Sequence, residues 1–97
     1  MARVEILNPV ATTVERSVKP APRPRDLRGL TVGLYWNMKG GGDAALDRTE
    51  ALLRERFPDT TFRRYTGSVG FIMRHATPED ADRIAAEVDA VVGTTAD

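Results

Sequence analysis

Leu30-Thr31-Val32-Gly33-Leu34-Tyr35-Trp36 runs directly into Asn37-Met38-Lys39-Gly40-Gly41-Gly42-Asp43, and this junction decides the fold. The first seven residues form a continuous apolar run rich in β-branched and aromatic side chains. That is the pattern of a strand covered on both faces in a mostly parallel sheet. Three successive glycines then favour a loop, because glycine loses the most backbone freedom on ordering and tolerates positive φ.

Downstream, residues 44–57 place Ala45, Leu46, Leu52, Leu53 and Phe57 on an apolar stripe, with Asp47, Arg48, Glu50, Arg54 and Glu55 opposite. Asp43 suits the N-cap of this helix, and Pro58 stops it. Thr60-Thr61-Phe62-Arg63-Arg64-Tyr65 reads as a more polar outer strand. Residues 66–76 form a long connection whose apolar trio Phe71, Ile72 and Met73 is expected to tuck inward. Thr77-Pro78-Glu79-Asp80 opens a second helix: threonine caps, proline suits the first helical position, and two acids face the positive helix end. Ala90-Val91-Val92-Gly93 is a third short strand.

The order β-α-β-α-β, with right-handed crossovers, predicts an α/β fold: a three-layer, open, mostly parallel sheet with the first strand central, a Rossmann- or flavodoxin-like half. Two segments are expected, an extended Pro-rich arm and lead-in over residues 1–29 and a βαβαβ domain over 30–97 that is incomplete at its C-terminus. Four of the six prolines lie between Pro9 and Pro24, which makes the lead-in extended. Within it, Val4 to Leu7 are β-prone and end at Asn8-Pro9, leaving an edge strand or an anchored arm as alternatives.

Bulk properties narrow the function classes. The 97 residues carry 14 basic and 14 acidic side chains, a balance that argues against a nucleic-acid or anionic-membrane surface. Arg23, Arg25 and Arg28 sit among prolines and read as a solvated linker. With no cysteine, the chain has no disulfide, thiolate metal site or thiol chemistry of its own. No segment approaches the roughly 18 apolar residues of a membrane span, so a soluble, cytoplasmic protein is the expectation. No cofactor and no metal is expected.

In such sheets ligands bind beyond the carboxyl ends of the strands, where the strand order reverses. Loop 37–43 and residues 94–97 meet there. The ligand-binding candidates are therefore Asn37, Lys39, Gly40, Gly41, Gly42, Asp43, Thr95 and Asp97. Glycine amides, a lysine and a helix N-terminus could together hold a small anionic ligand. The spacing matches neither the P-loop nor the G-x-G-x-x-G fingerprint, and a plain strand-to-helix turn is an equal reading. His75, the sole histidine, lacks a spaced partner and reads as a loop residue. Trp36 and Tyr35 read as packing residues, while Arg63 and Tyr65 reach toward the crevice mouth. No G-x-S-x-G occurs, which disfavours a serine hydrolase.

The residues Ile6-Leu7-Asn8-Pro9, Leu30-Thr31-Val32-Gly33-Leu34, Asn37-x-Lys39, Leu52-Leu53-Arg54-Glu55-Arg56 and Asp89-Ala90-Val91-Val92 resemble the amino-terminal part of the UGSC-like family, named for a (Sec or Cys)-Gly-Ser-Cys motif. The resemblance runs over nearly the whole chain. It implies redox or nucleophilic chemistry at a Sec/Cys-x-x-Cys pair that follows the third strand, beyond Asp97, so no catalytic residue is expected within the chain. A thiol or selenol there, at the start of a following helix, would have its anion stabilised by the helix dipole. Two accounts of the end at Asp97 stand: a selenocysteine codon read as stop, or a split protein completed by another subunit. Either way a partner chain or homo-oligomer is expected to cover the third strand. The expected function is a partial or non-catalytic domain contributing the ligand-binding half of such a site. The alternative is a small anion- or nucleotide-binding or regulatory subunit that uses the glycine loop.

Overall fold

The computed structural model describes residues 2–95. Five elements follow in order: β1 (Thr31–Trp36), α1 (Gly42–Arg56), β2 (Thr61–Tyr65), α2 (Pro78–Glu87) and β3 (Ala90–Thr94). The strands form one parallel sheet in the order β2-β1-β3. This is the arrangement that right-handed crossovers from a central first strand require.

Period-two alternation divides β1 between the two faces. Val32 and Leu34 point to one side, where they are buried with Leu46 of α1 and joined by Leu27, Trp36, Phe62, Ala90 and Val92. On the other side Tyr35 and Val91 meet Ala81, Ile84 and Ala85 of α2. The helices therefore cover opposite faces, giving three layers. Gly33 lies on the α2 face, where an added Cβ would stand 3.2 Å from the Tyr65 ring and 3.4 Å from Val88. The lack of a side chain there lets Tyr65 lie across the sheet.

At the amino-terminal edge, Thr60 Oγ1 donates to the Leu27 carbonyl (2.7 Å) and Thr31 N–H donates to the Asp89 carboxylate (2.9 Å). These bonds fasten both crossovers beneath β1. Residues 2–24 form neither helix nor strand and are exposed, so Val4 to Leu7 pair with no strand. The longest dimension is 76 Å, and the radius of gyration is 19.3 Å, against about 13 Å for a compact chain of this length.

Three local expectations are corrected. First, α1 begins at Gly42, and its N-cap is Gly41 at φ 88°, so Asp43 lies inside the first turn instead of capping it. The glycine run enters the helix because Gly42 packs where no side chain fits. Second, Leu52 is 48% exposed whereas Leu46 is buried. At about 100° per residue, Leu53 falls nearly in line with Leu46, while Leu52 falls about 120° away. Third, the Phe71-Ile72-Met73 trio faces outward, with Phe71 91% exposed. Val69 and His75 exchange backbone hydrogen bonds at 2.7 and 3.3 Å, and Gly70 adopts φ 110°. The connection is thereby pinched into a small hairpin that carries the trio at its tip.

The base of that hairpin is pinned by Asp80. Its buried carboxylate accepts from Ser68 N–H (3.0 Å), Ser68 Oγ (2.6 Å), Thr77 N–H (3.0 Å) and Arg83 (3.1 Å). Thr77 Oγ1 in return accepts from Asp80 N–H, closing a capping box at the start of α2. Hydrogen bonds from Ser68 and Thr77 hold this carboxyl well below the usual carboxylate range.

Candidate functional site

The carboxyl ends of β1 and β3 lie side by side, as the strand order requires, and the loops leaving them are tied together. Asn37 continues the pairing, its N–H donating to the Thr94 carbonyl (2.9 Å). Its side-chain amide donates from one end and accepts at the other. Nδ2 donates to the Thr95 carbonyl (2.8 Å), and Oδ1 accepts from Thr95 N–H (3.1 Å) and Lys39 N–H (3.2 Å). The Trp36 indole donates to the Lys39 carbonyl (2.8 Å), which folds the loop back over the end of β1. Met38 takes φ 69° in this turn, a left-handed conformation that disfavours any residue with a Cβ.

Gly42 brings the helix start against the exit of β3. A Cβ at this position would stand 2.8 Å from each of Thr94 Oγ1, Thr95 Oγ1 and Trp36 Cδ1. Thr94 Oγ1 donates to the Gly42 carbonyl (3.0 Å), which fixes the approach. By contrast, Gly40 and Gly41 face open space. Among the described residues no side chain caps α1 as Thr77 caps α2; Gly42 N–H donates instead to the Lys39 carbonyl (3.2 Å).

Of the residues expected to form the site, Asn37, Lys39, Gly42 and Thr95 are joined in this one cluster, with Gly40, Gly41 and Asp43 beside it. Asp97 lies outside the described residues. The crevice between β1 and β3 is occupied by the clamp itself. The open space next to the glycine loop is on the other side of β1, a hollow of about 290 Å³ lined by Leu34, Trp36, Asp43, Leu46, Arg64, Tyr65 and Thr66. Its floor is apolar and its rim carries one acid and one base.

Arg64 is held at that rim by Asp47 (2.9 Å) and by Glu50. Hydrogen bonding to Arg64 keeps the Glu50 carboxyl below its ordinary value, and the same bond raises Arg64 above its own. Glu50 also accepts from Arg54, at 2.8 and 3.0 Å. On the opposite face, the Tyr65 hydroxyl donates to Glu87 (2.6 Å), and Arg63 lies 3.4 Å from the same carboxylate. The hydrogen bond to Glu87 pushes the Tyr65 phenol above its ordinary value, because the phenolate would face a carboxylate. Arg63 thus serves an ion pair on the α2 face, away from the crevice. His75 contributes only backbone groups to the hairpin and stays exposed.

Sequence reasoning placed residue 94 in the loop facing residues 37–43 without naming Thr94 as a site residue, and it passed over Arg64. Arg64 was reachable, since it stands next to the carboxyl end of β2, where sheets of this type present their ligand-facing side chains. The specific role of Thr94 was not, because its bond to the Gly42 carbonyl depends on a helix start more than fifty positions earlier in the chain. Among the described residues no group of histidines and acids is arranged to hold a metal ion, and no helix is long and apolar enough to cross a membrane.

Comparison with known proteins adds one finding. No curated protein and no solved structure matches the chain. The model of the UGSC family matches residues 5–97, which takes in the whole sheet, both helices and the clamped loops. This chain therefore belongs to the UGSC family.

Proposed function

We propose that the chain contributes the ligand-binding half of a redox or nucleophilic site whose selenol or thiol comes from outside these 97 residues. The observation that carries the reading is the Asn37 clamp, which holds the exit of β3 beside the glycine loop and the uncapped start of α1. A chalcogen group following β3 would be delivered to that corner. There the first-turn amides of α1 and the positive helix end favour its anion or an anionic substrate. The chain has no cysteine, so the nucleophile has to be lent to it.

The test is to read the transcript in frame past the Asp97 codon and to isolate the protein from its own cells with whatever copurifies. A Sec/Cys-Gly-Ser-Cys sequence in a longer product, or a copurifying subunit that carries it, is expected. In that assembly Asn37→Ala should slow alkylation of the reactive group by iodoacetamide several-fold at neutral pH. Absence of the motif from both the longer product and every copurifying chain overturns the proposal.

A second reading, a small anion- or nucleotide-binding or regulatory subunit, is favoured by the open space at Gly40 and Gly41 and by the missing side-chain cap on α1. It predicts that millimolar inorganic phosphate or ADP raises the melting temperature of the chain alone. The first reading predicts no shift until the chalcogen half is present.

A further inference from the structure

We infer that the basic strip at residues 16–25 binds the phosphodiester backbone of a nucleic acid, without regard to base sequence. The even charge balance of the whole chain conceals a division. Residues 1–29 carry six basic and three acidic side chains, whereas residues 30–97 carry eight basic and eleven acidic ones. The lead-in is therefore net +3 and the folded domain net −3. A basic segment attached to an acidic domain is the charge asymmetry of a nucleic-acid-binding arm. Within the lead-in the positive charge is concentrated: residues 16–25 contain Arg16, Lys19, Arg23 and Arg25 and no acid.

The folded domain uses its own arginines internally. Arg54, Arg63, Arg64 and Arg83 are paired with Glu50, Glu87, Asp47 and Asp80 at 2.8, 3.4, 2.9 and 3.1 Å respectively. The four basic side chains of the strip are exposed and make no hydrogen bond or ion pair with the described residues. Two acids lie close by, and each is engaged by a backbone amide. The Asp26 carboxylate accepts from Arg28 N–H (2.9 Å), and that of Asp89, which borders one cleft with Arg23, accepts from Thr31 N–H (2.9 Å). Like charges this close repel one another, and a row of phosphates relieves that repulsion while releasing its own counterions.

Shape agrees with this partner. Pro20, Pro22 and Pro24 fix φ and keep residues 19–25 extended. At ~3.1 Å per residue Lys19 and Arg25 stand about 19 Å apart with Arg23 between them, a linear row of cations to match a linear row of phosphates. Residues 21–24 border one cleft with Ala85 and Val88, which seats the strip on the domain and leaves less chain to order on binding. No aromatic side chain occurs in residues 1–34, so bases find nothing there to stack on. Residues 2–24 form neither helix nor strand, so no element is built to read base edges in the major groove. Recognition rests on phosphates alone. A lipid surface fits less well, because a polybasic patch holds a membrane only with a second, apolar anchor, and Val18 is the one large aliphatic side chain in residues 16–25.

The full chain is titrated into fluorescein-labelled polyuridine and, separately, into a mixed-sequence DNA duplex, with binding read by anisotropy. Neutralising four phosphates predicts that log K falls against log salt with a slope of about −2.8 on the single strand and about −3.6 on the duplex. Raising salt from about 50 to about 200 mM should then weaken binding about 50-fold and about 150-fold respectively. Arg23→Gln with Arg25→Gln should halve the slope, and Arg23→Lys with Arg25→Lys should restore it, because a phosphate is met by charge. Arg48→Gln with Arg74→Gln removes the same charge from exposed positions of the folded domain and should leave the slope unchanged. All four arginines are exposed, so each variant should keep the circular dichroism of the wild type. The inference is overturned if a high-micromolar chain fails to bind at the lower salt, if the slope is near zero, or if the domain pair weakens binding as much as the strip pair. It is overturned equally by phosphatidylserine vesicles that retain the chain through Arg23 and Arg25 where neither nucleic acid does.

Discussion

Replacing Gly42 by alanine tests whether the helix start and the β3 exit are packed as tightly as described. In an open helical position this change would stabilise the chain by about 0.5–1 kcal/mol, since alanine loses less backbone freedom than glycine. Here the new methyl would stand 2.8 Å from two threonine hydroxyl oxygens and from the Trp36 ring. Overpacking of this kind costs about 1–3 kcal/mol. If Thr94 rotates away, it gives up its bond to the Gly42 carbonyl, which forfeits about 1 kcal/mol. The net expectation is a loss of roughly 1–2 kcal/mol, equivalent to a fall in Tm of about 4–15 °C for a domain of this size. Urea unfolding followed by the emission of Trp36, the sole tryptophan, reads it. Gly40→Ala is the control, because nothing lies within 4 Å of its added Cβ, and it should be neutral or slightly stabilising. Removing the Thr94 hydroxyl should relieve part of the defect, so Gly42→Ala with Thr94→Ala costs less than the sum of the two changes. A Gly42→Ala chain as stable as the wild type would refute the packing argument.

Further outcomes follow from the same geometry. Asn37→Asp keeps the acceptor but loses the donor to the Thr95 carbonyl; a loss of about 1–2 kcal/mol and faster amide exchange at Thr94 and Thr95 are expected, read by hydrogen exchange. The Asp80 carboxyl lies below its unfolded value, so its contribution is present above about pH 4 and lost as pH falls toward the folded value. Asp80→Asn should therefore lower the urea midpoint at pH 7, with the gap to wild type closing steadily as the pH drops from about 5 to 2. The Tyr65 phenol is raised, so its contribution is present below about pH 10 and disappears as the pH climbs through the folded value. Ultraviolet titration should show one tyrosine ionising late, and Tyr65→Phe should remove that component. Phe71→Ser should change stability by less than about 0.5 kcal/mol, as for other exposed positions, whereas a tuckable Phe71 would make the same change costly in a melting experiment.

How far the sequence could be read depends on whether a residue's role is decided by its neighbours in the chain or by distant ones. β1 was legible because a strand covered on both faces must be apolar throughout, and Val32 and Leu34 are buried as that demands. The start of α2 was legible because Thr77, Pro78 and Asp80 make a cap among themselves. The strand order then needed only the handedness of crossovers. The triple glycine misled because its local meaning, a loop, is overridden at Gly42 by Thr94 and Thr95 arriving from the far end of the chain. The same distance hid the work of Asn37, whose polarity suggested ligand binding while both ends of its amide are taken up with Thr95 and Lys39. This reshapes the chemistry expected at the corner. With the crevice between β1 and β3 filled by its own clamp, a ligand drawn to the start of α1 finds its open space over β1 and β2, where Asp43 and Arg64 form the rim. Under the proposed function, recognition at this corner would depend on the balance between Arg64 and the acids that hold it, Asp47 and Glu50. An anionic group that competes for Arg64 would meet Asp43 at the rim and have to displace a carboxylate already paired there, Asp47 or Glu50, so any gain at Arg64 is offset by the acids around it.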